Sequence, residues 1–259
     1  MFNILHLELT SRCDKGCWMC GRREMERDHP ELCDWGDMDH DMMRAIAYQV
    51  SRGTVVQMHN NGEPLMYPYL ADALMSFYHC VRQFNTNAKR LVERASEIIG
   101  KLEVLTISVI ENDPEGEEQF DIVSEFLQLK GNDKPTMVYR LLGDVKNAEW
   151  WKGFPGIIAR RTLHAPGGSY AYRKPAVVPE IGICLDLLTH LAIDRYGNIA
   201  LCVRFDPEGK LRIGNVKDIT LTEAWNGEKR RKYLAEHIRG NRKELPGCQD
   251  CHFYGVPTG

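Results

Sequence analysis

The first two thirds of the chain alternate between two hydrophobic periods, and this alternation constrains the fold more than any other feature. Short β-branched or aliphatic runs at residues 4–9, 54–58, 81–84, 104–109, 136–141 and 156–160 are separated by segments with helical spacing. Residues 41–51 set Met42, Ile46 and Val50 on one face, and residues 69–79 and 88–99 repeat the pattern. Residues 115–130 set Phe120, Val123 and Leu127 on one stripe, with Glu115, Glu117 and Glu118 in the first turn, where they suit the helix dipole. A strand–helix alternation repeated about six times implies a parallel sheet with helices outside, doubly wound or curled into a full or partial barrel. Both architectures carry their chemistry at the C-terminal ends of the strands.

Beyond residue 164 the pattern breaks. Residues 165–182 are rich in Gly, Pro and aromatics and read as a linker or a substrate-side loop. Residues 190–194, a Tyr196-Gly197-Asn198 turn and residues 199–203 read as a hairpin. Residues 221–238 read as one helix, with Thr220 or Thr222 as N-cap and Gly240 as its stop. The expected division is therefore a barrel over 1–165 and a linker with a small α+β extension over 166–259.

Composition excludes several classes. The net charge of −3 gives no general attraction to nucleic acid, and no apolar run approaches the roughly 20 residues of a membrane span. The start lacks the basic and apolar regions of an export signal, so a cytoplasmic protein is expected, with no membrane association and no nucleic-acid partner.

The nine cysteines are clustered at positions 13, 17, 20, 33, 80, 184, 202, 248 and 251, which suits metal ligands better than structural disulfides. Cys13, Cys17 and Cys20 lie directly after the first expected strand. Three thiolates at this spacing can converge on one cubic cluster, and because they serve four irons, one iron stays open for a small molecule. A zinc loop or free thiols is the alternative, although structural zinc wants four protein ligands. Cys184, Cys202, Cys248 and Cys251 form a second group, enough to close one [4Fe–4S] cluster or one tetrahedral zinc site. Cys33 and Cys80 are left over. Either can serve as a hydrogen donor near substrate or as a small buried hydrophobe, and Cys33, in the polar loop past the first cluster motif, is the better functional candidate.

The run Cys13-Asp14-Lys15-Gly16-Cys17-Trp18-Met19-Cys20 resembles the CxxxCxxC signature of the radical SAM superfamily, carried on the loop after the first strand of a partial (β/α)6 barrel. The resemblance covers roughly the first 165 residues. It implies a [4Fe–4S] cluster whose open iron chelates S-adenosylmethionine and a 5′-deoxyadenosyl radical that takes a hydrogen atom from substrate. It also implies an electron donor of the flavodoxin or ferredoxin type. Met19 stands where the family usually carries an aromatic residue packed on the adenine, with Trp18 one place earlier.

The turn Asn61-Gly62-Glu63-Pro64 resembles the family's GGEP segment, which binds the methionyl amine. Physically, Gly62 permits close backbone approach and Glu63 can accept from an ammonium. Residues 84–87, ending on Asn87, resemble the third-strand TNG segment. Ser108 resembles the serine that meets the cofactor's ribose, and Arg140 can pair with its carboxylate.

The later cysteines, with Ile213-Gly214-Asn215-Val216 and Ala224-Trp225, resemble the SPASM and twitch extensions of the same superfamily. With eight residues after Cys251 the chain matches the shorter twitch form, which implies one auxiliary [4Fe–4S] cluster and so two clusters in all. A fully ligated second cluster favours electron acceptance and an overall oxidation, and the nearest resemblance is to twitch enzymes that oxidise an alcohol of an aminocyclitol. The alternatives are a peptide maturase working with a separate leader-binding partner, and a zinc-stabilised binding module. Arg160, Arg161, His164, Tyr170, Tyr172 and Arg204 are the expected substrate contacts, with Arg161, Tyr170, Arg204 and Cys33 the catalytic candidates.

Overall fold

All six expected strands form, with bounds shifted by about two residues at most: β1 (Ile4–Leu7), β2 (Val55–Gln57), β3 (Val81–Thr86), β4 (Val104–Ile110), β5 (Thr136–Leu142) and β6 (Ile157–Arg161). The computed structural model describes residues 1–161, 163, 183–203, 206, 209–249 and 251. The six strands pair in parallel in sequence order, and the sheet remains open at β6. The helices are α1 (Arg22–Asp28), α2 (His40–Gln49), α3 (Leu70–Ser76), α4 (Ala95–Ile98) and α5 (Gly116–Lys130), followed by α6 (Leu185–Thr189), α7 (Leu221–Trp225) and α8 (Glu228–Ile238).

The expected hairpin forms as β7 (His190–Ile193) and β8 (Asn198–Ala200), and β9 (Arg212–Asn215) pairs beside it. Its placement was not legible in the sequence. β7 lies parallel to β1 on the side away from β2, with Leu5 opposite Leu191 and Leu7 opposite Ile193, so one nine-stranded sheet runs β6-β5-β4-β3-β2-β1-β7-β8-β9. Gly197 makes the hairpin turn at φ +85, and a Cβ there would lie 2.7 Å from a Val216 methyl and 2.8 Å from the Met42 sulfur.

Alternation along the strands sorts the sheet's two faces. Leu5, Leu7, Val56, Phe84, Leu105, Ile107 and Tyr139 are buried in the core that also holds Met43, Ile46, Leu74, Ile98, Val123 and Phe126 of the helices. Phe120 and Phe154 stack at 4.6 Å, with Tyr139 and Trp151 against them, an aromatic group that covers the β5 side.

Three helix expectations are corrected. In α2 the Asp39 side chain accepts from Met42 N and fixes the start, and the buried face runs Met43, Ile46, Ala47 and Val50, one position on from Met42. Residues 88–99 do not form one helix: Ala88 sits at φ +71, the next residues form turns, and only Ala95–Ile98 is helical. Residues 221–238 split at Asn226-Gly227, with Thr220 and Glu223 forming a reciprocal capping box on α7 and Gly227 capping α8. The expected domain boundary at 165/166 lies outside the described residues.

Candidate functional site

The loops leaving β1, β2, β3 and β4 converge at the C-terminal edge of the sheet, and the cysteine loop is tied to the others by its non-cysteine residues. Asp14 accepts from Asn87 Nδ2 at 2.9 Å and from Arg90 Nε at 3.0 Å, past β3. The Lys15 ammonium pairs with Asp113 at 2.6 Å and Glu115 at 3.2 Å, between β4 and α5. Trp18 Nε1 donates to the Glu111 carbonyl at 3.2 Å, which draws the indole to the end of β4. Arg22, buried, stacks 3.9 Å over Trp35 and donates to the Ser11 carbonyl. Met19 is half-buried in the same loop.

The three thiols sense one another. Burial, with Cys20 close by, pushes Cys17 up to about 12, and burial with Glu63 and Cys20 raises Cys13. Removing these protons needs a compensating cation, which a cluster supplies on binding. The residues present therefore fit such a group. Among the described residues no three His, Cys, Asp or Glu side chains stand together as a site for a single metal ion.

The Gly62 turn is locked to this loop. A Cβ on Gly62 would fall 2.0 Å from the Thr10 carbonyl oxygen, and Glu63 N donates to the Arg12 carbonyl at 2.7 Å. The glycine thus lets backbone approach backbone, a different close contact from the ligand approach expected. The buried Glu63 carboxylate accepts from Leu65 N at 3.1 Å, Thr86 Oγ1 at 2.8 Å and Asn87 N at 2.8 Å, and burial still raises it to about 7. Three of its roughly four acceptor positions are used, leaving one for an ammonium. Pro64 opens a 3-10 helix at Pro64–Met66.

Ser108 and Arg140 are register partners on β4 and β5; Arg140 is half-buried, and burial, with Arg161 on β6 close by, lowers it to about 10. They share the inner face of the sheet with residues the sequence reading missed. His6 lies opposite Gln57 and Gln57 opposite Gln83; Gln57 bonds to His59 Nδ1 at 2.7 Å and to Asn85 Oδ1 at 3.2 Å. His6 stacks on His190 at 5.1 Å. Burial, with Arg140 nearby, depresses His59 to about 3, so its imidazole is neutral. The signal was present in the alternation of residues 4–9, where His6 and Glu8 interrupt leucines at every second position.

The C-terminal thiols gather around a second small core. Cys184, Cys202 and Cys248 pack against Leu187, Leu201, Leu211, Tyr233 and Leu245. Burial, with Cys251 and Cys184 close by, raises Cys248 to about 12. Arg242, buried, donates to the carbonyls of Cys248 at 2.7 Å and Cys251 at 3.0 Å and so fixes the tail. Three thiols on one apolar core, with Cys251 near two of them, fit a metal cluster by the same reasoning as the first loop.

A cavity of about 350 Å³ is lined among others by Glu8, Asn61, Asp34, Asp194, Arg212 and Cys202 of the second thiol group. Cys33 follows the 3-10 helix Pro30–Leu32 with its thiol 3.7 Å from the His29 carbonyl. Cys80 is buried at the opposite edge, before β3, as a small hydrophobe. His164, Tyr170, Tyr172 and Arg204 lie outside the described residues.

Comparison with known proteins agrees with this geometry. The SPASM family, an iron–sulfur cluster-binding domain, matches residues 184–252. Over its whole length the chain is 21% identical to the S-adenosyl-L-methionine-dependent 2-deoxy-scyllo-inosamine dehydrogenase of Niallia circulans, covering 96% of that protein. The fold superposes on BtrN in complex with AdoMet and 2-DOIA with a TM-score of 0.63 at 16% identity, covering 100% of this chain and 96% of that one. Residues 184–252 thus carry a SPASM-type domain, and the chain as a whole has the fold of BtrN. Streptococcus suis SuiB bound to S-adenosylmethionine also superposes, with a TM-score of 0.59 at 14% identity, covering 100% of this chain and 73% of that one. Among the described residues no helix is long and apolar enough to cross a membrane.

Proposed function

We propose that this radical SAM enzyme oxidises an alcohol carbon of a small, hydroxyl-rich, amine-bearing molecule. The observation that carries the reading is the cavity, which reaches from the inner barrel face at Glu8 to Cys202 of the second thiol group. Its volume suits a small molecule, and among the described residues five carboxylates (Glu8, Glu31, Asp34, Asp194, Asp206) against two arginines (Arg195, Arg212) on its wall suit an ammonium. The named activity of the Niallia circulans relative, which this chain matches from end to end, supports the same class.

In this reading Cys13, Cys17 and Cys20 hold one [4Fe–4S] cluster and Cys184, Cys202, Cys248 and Cys251 a second. When bound, S-adenosylmethionine on the first cluster supplies a hydrogen-atom acceptor, and the second cluster supplies an electron acceptor. Glu63 uses its remaining acceptor position for the methionyl ammonium, with Gly62, Pro64 and Asn87 shaping that turn. Ser108 and Arg140 offer a hydroxyl and a guanidinium from paired positions on the inner face, and Met19 borders the cofactor. Arg161, on the same face, is a substrate contact, as are Tyr170 and Arg204; Cys33 stands between the cavity-lining Leu32 and Asp34, and an oxidation asks no hydrogen-atom donation of it.

The test is anaerobic purification with iron and sulfide analysis, followed by turnover of 2-deoxy-scyllo-inosamine deuterated at its ring carbons. About eight irons per chain and deuterium in 5′-deoxyadenosine support the reading, with reduced flavodoxin or ferredoxin sustaining turnover. Zinc without iron, or a ketone formed without deuterium transfer, overturns it.

A further inference from the structure

Resting on the reading above, we infer that Glu8 is the catalytic base of this chain, taking the hydroxyl proton of the substrate as the alcohol carbon becomes a carbonyl. Such an oxidation breaks one C–H and one O–H bond and forms a C=O π bond. The hydrogen atom goes to the acceptor that S-adenosylmethionine supplies, the electron to the second cluster, and the proton must go to a group of the protein. That group has to touch the cavity and has to titrate near the working pH.

Glu8 meets both requirements by position. It lies on β1's continuation toward the cysteine loop, is almost fully buried, and lines the cavity that Cys202 also lines. Its Oε2 is fixed by Asn61, which donates through its backbone N at 3.2 Å and its Nδ2 at 3.1 Å. Oε1 carries one long bond, 3.5 Å from Arg195 N, and so keeps acceptor capacity for a substrate hydroxyl. Burial, with Asp194 nearby, raises the carboxyl to about 7.

Among the described residues, the other carboxylates of the wall are committed elsewhere. Asp194 caps its own turn, accepting from Tyr196 N at 3.0 Å, Asn198 N at 2.8 Å and Asn198 Nδ2 at 2.7 Å. Asp34 is paired with Arg195 at 3.1 Å and accepts from the Tyr196 hydroxyl. Asp206 accepts from Lys210 N and Leu211 N, and Glu31 is a largely exposed side chain beside His29. The guanidinium groups of Arg195 and Arg212 offer donors only. Among the described residues, the charged groups around Glu8 are therefore Asp194 and Arg195 on the hairpin turn, Glu31 and Asp34 on the loop past α1, Asp206 and Arg212 beyond the hairpin, and His6 on its own strand.

The experiment compares holoenzyme with Glu8→Gln and Glu8→Asp, using iron content as the check on folding and 2-deoxy-scyllo-inosamine as the probe. Ketone formation in the wild type rises through about pH 7. In Glu8→Gln it falls about a hundredfold or more and loses that rise, whereas Glu8→Asp recovers part of both. A Glu8→Gln enzyme with the wild-type rate, or one that keeps the rise, overturns the assignment. A second readout needs no turnover: isotope-edited infrared spectroscopy of the carboxyl group. A band titrating near pH 7 and absent from Glu8→Gln supports the base, and a Glu8 already ionised at about pH 5 overturns it. A wild type that oxidises no aminocyclitol sinks the substrate reading alone, and the infrared titration then decides Glu8.

Discussion

The Lys15 ammonium lies 2.6 Å from the Asp113 carboxylate, and both side chains are almost fully buried, 5% and 6% exposed. The contact joins residues 98 apart in sequence and holds the cysteine loop against the end of β4. Lys15→Met leaves Asp113 charged and buried, which costs about 3–5 kcal/mol. Chemical denaturation should register that loss, together with lower iron content. The double variant Lys15→Met/Asp113→Leu should regain most of the stability. A single variant as stable as the wild type would show that the pair does not hold the loop.

Gly62 makes a sharper steric test. Gly62→Ala must move either Thr10 or the 62–63 turn, because its Cβ would lie 2.0 Å from a backbone oxygen that no rotamer change can relieve. We expect about 1–3 kcal/mol of destabilisation and weakened S-adenosylmethionine binding. Gly116→Ala, at the start of α5 with no atom within 4 Å of the added carbon, is the control and should stay within about 0.5 kcal/mol of wild type.

Glu63 gives a pH signature in the protein free of S-adenosylmethionine. Its carboxyl is raised from 4.5 to about 7, so the fold favours the protonated form. The stability this contributes is fully present below about pH 4.5 and is lost as the pH rises through about 7. Thermal melts over that window should fall more steeply for wild type than for Glu63→Gln. Parallel slopes would place the Glu63 carboxyl at its ordinary value.

Arg242 isolates the second thiol group. Arg242→Met releases the Cys248 and Cys251 carbonyls, and iron should drop from about eight toward about four per chain while the first loop keeps its share. Iron content unchanged from wild type would remove Arg242 from that role.

Much of the fold was legible because its signals are local. Six apolar runs became six strands, and the Thr220 cap and the Gly197 turn stand where side-chain chemistry puts them. Failures came where a distant partner decides. Helical spacing over 88–99 is overridden by Ala88 at φ +71, which turns the chain as it leaves β3. The α2 stripe is rotated because burial depends on the sheet it meets, not on spacing alone. At the site, spacing brought out the cysteines and Glu63, since each sits in a short motif. Glu8 went unread because its neighbours in space, Asn61 and Asp194, are 53 and 186 residues away along the chain.

The seam between β1 and β7 sets the order in which this molecule can be finished. Ile4–Leu7 is made long before its partner on one side, and that edge stays bare until His190–Ile193 arrives. A nascent chain, or a truncation ending near residue 161, carries an exposed β-edge through the middle of the future sheet, a template for wrong pairing. The C-terminal third is thus a folding partner of the barrel as well as a carrier of thiols, and cutting it away leaves the β1 edge unpaired.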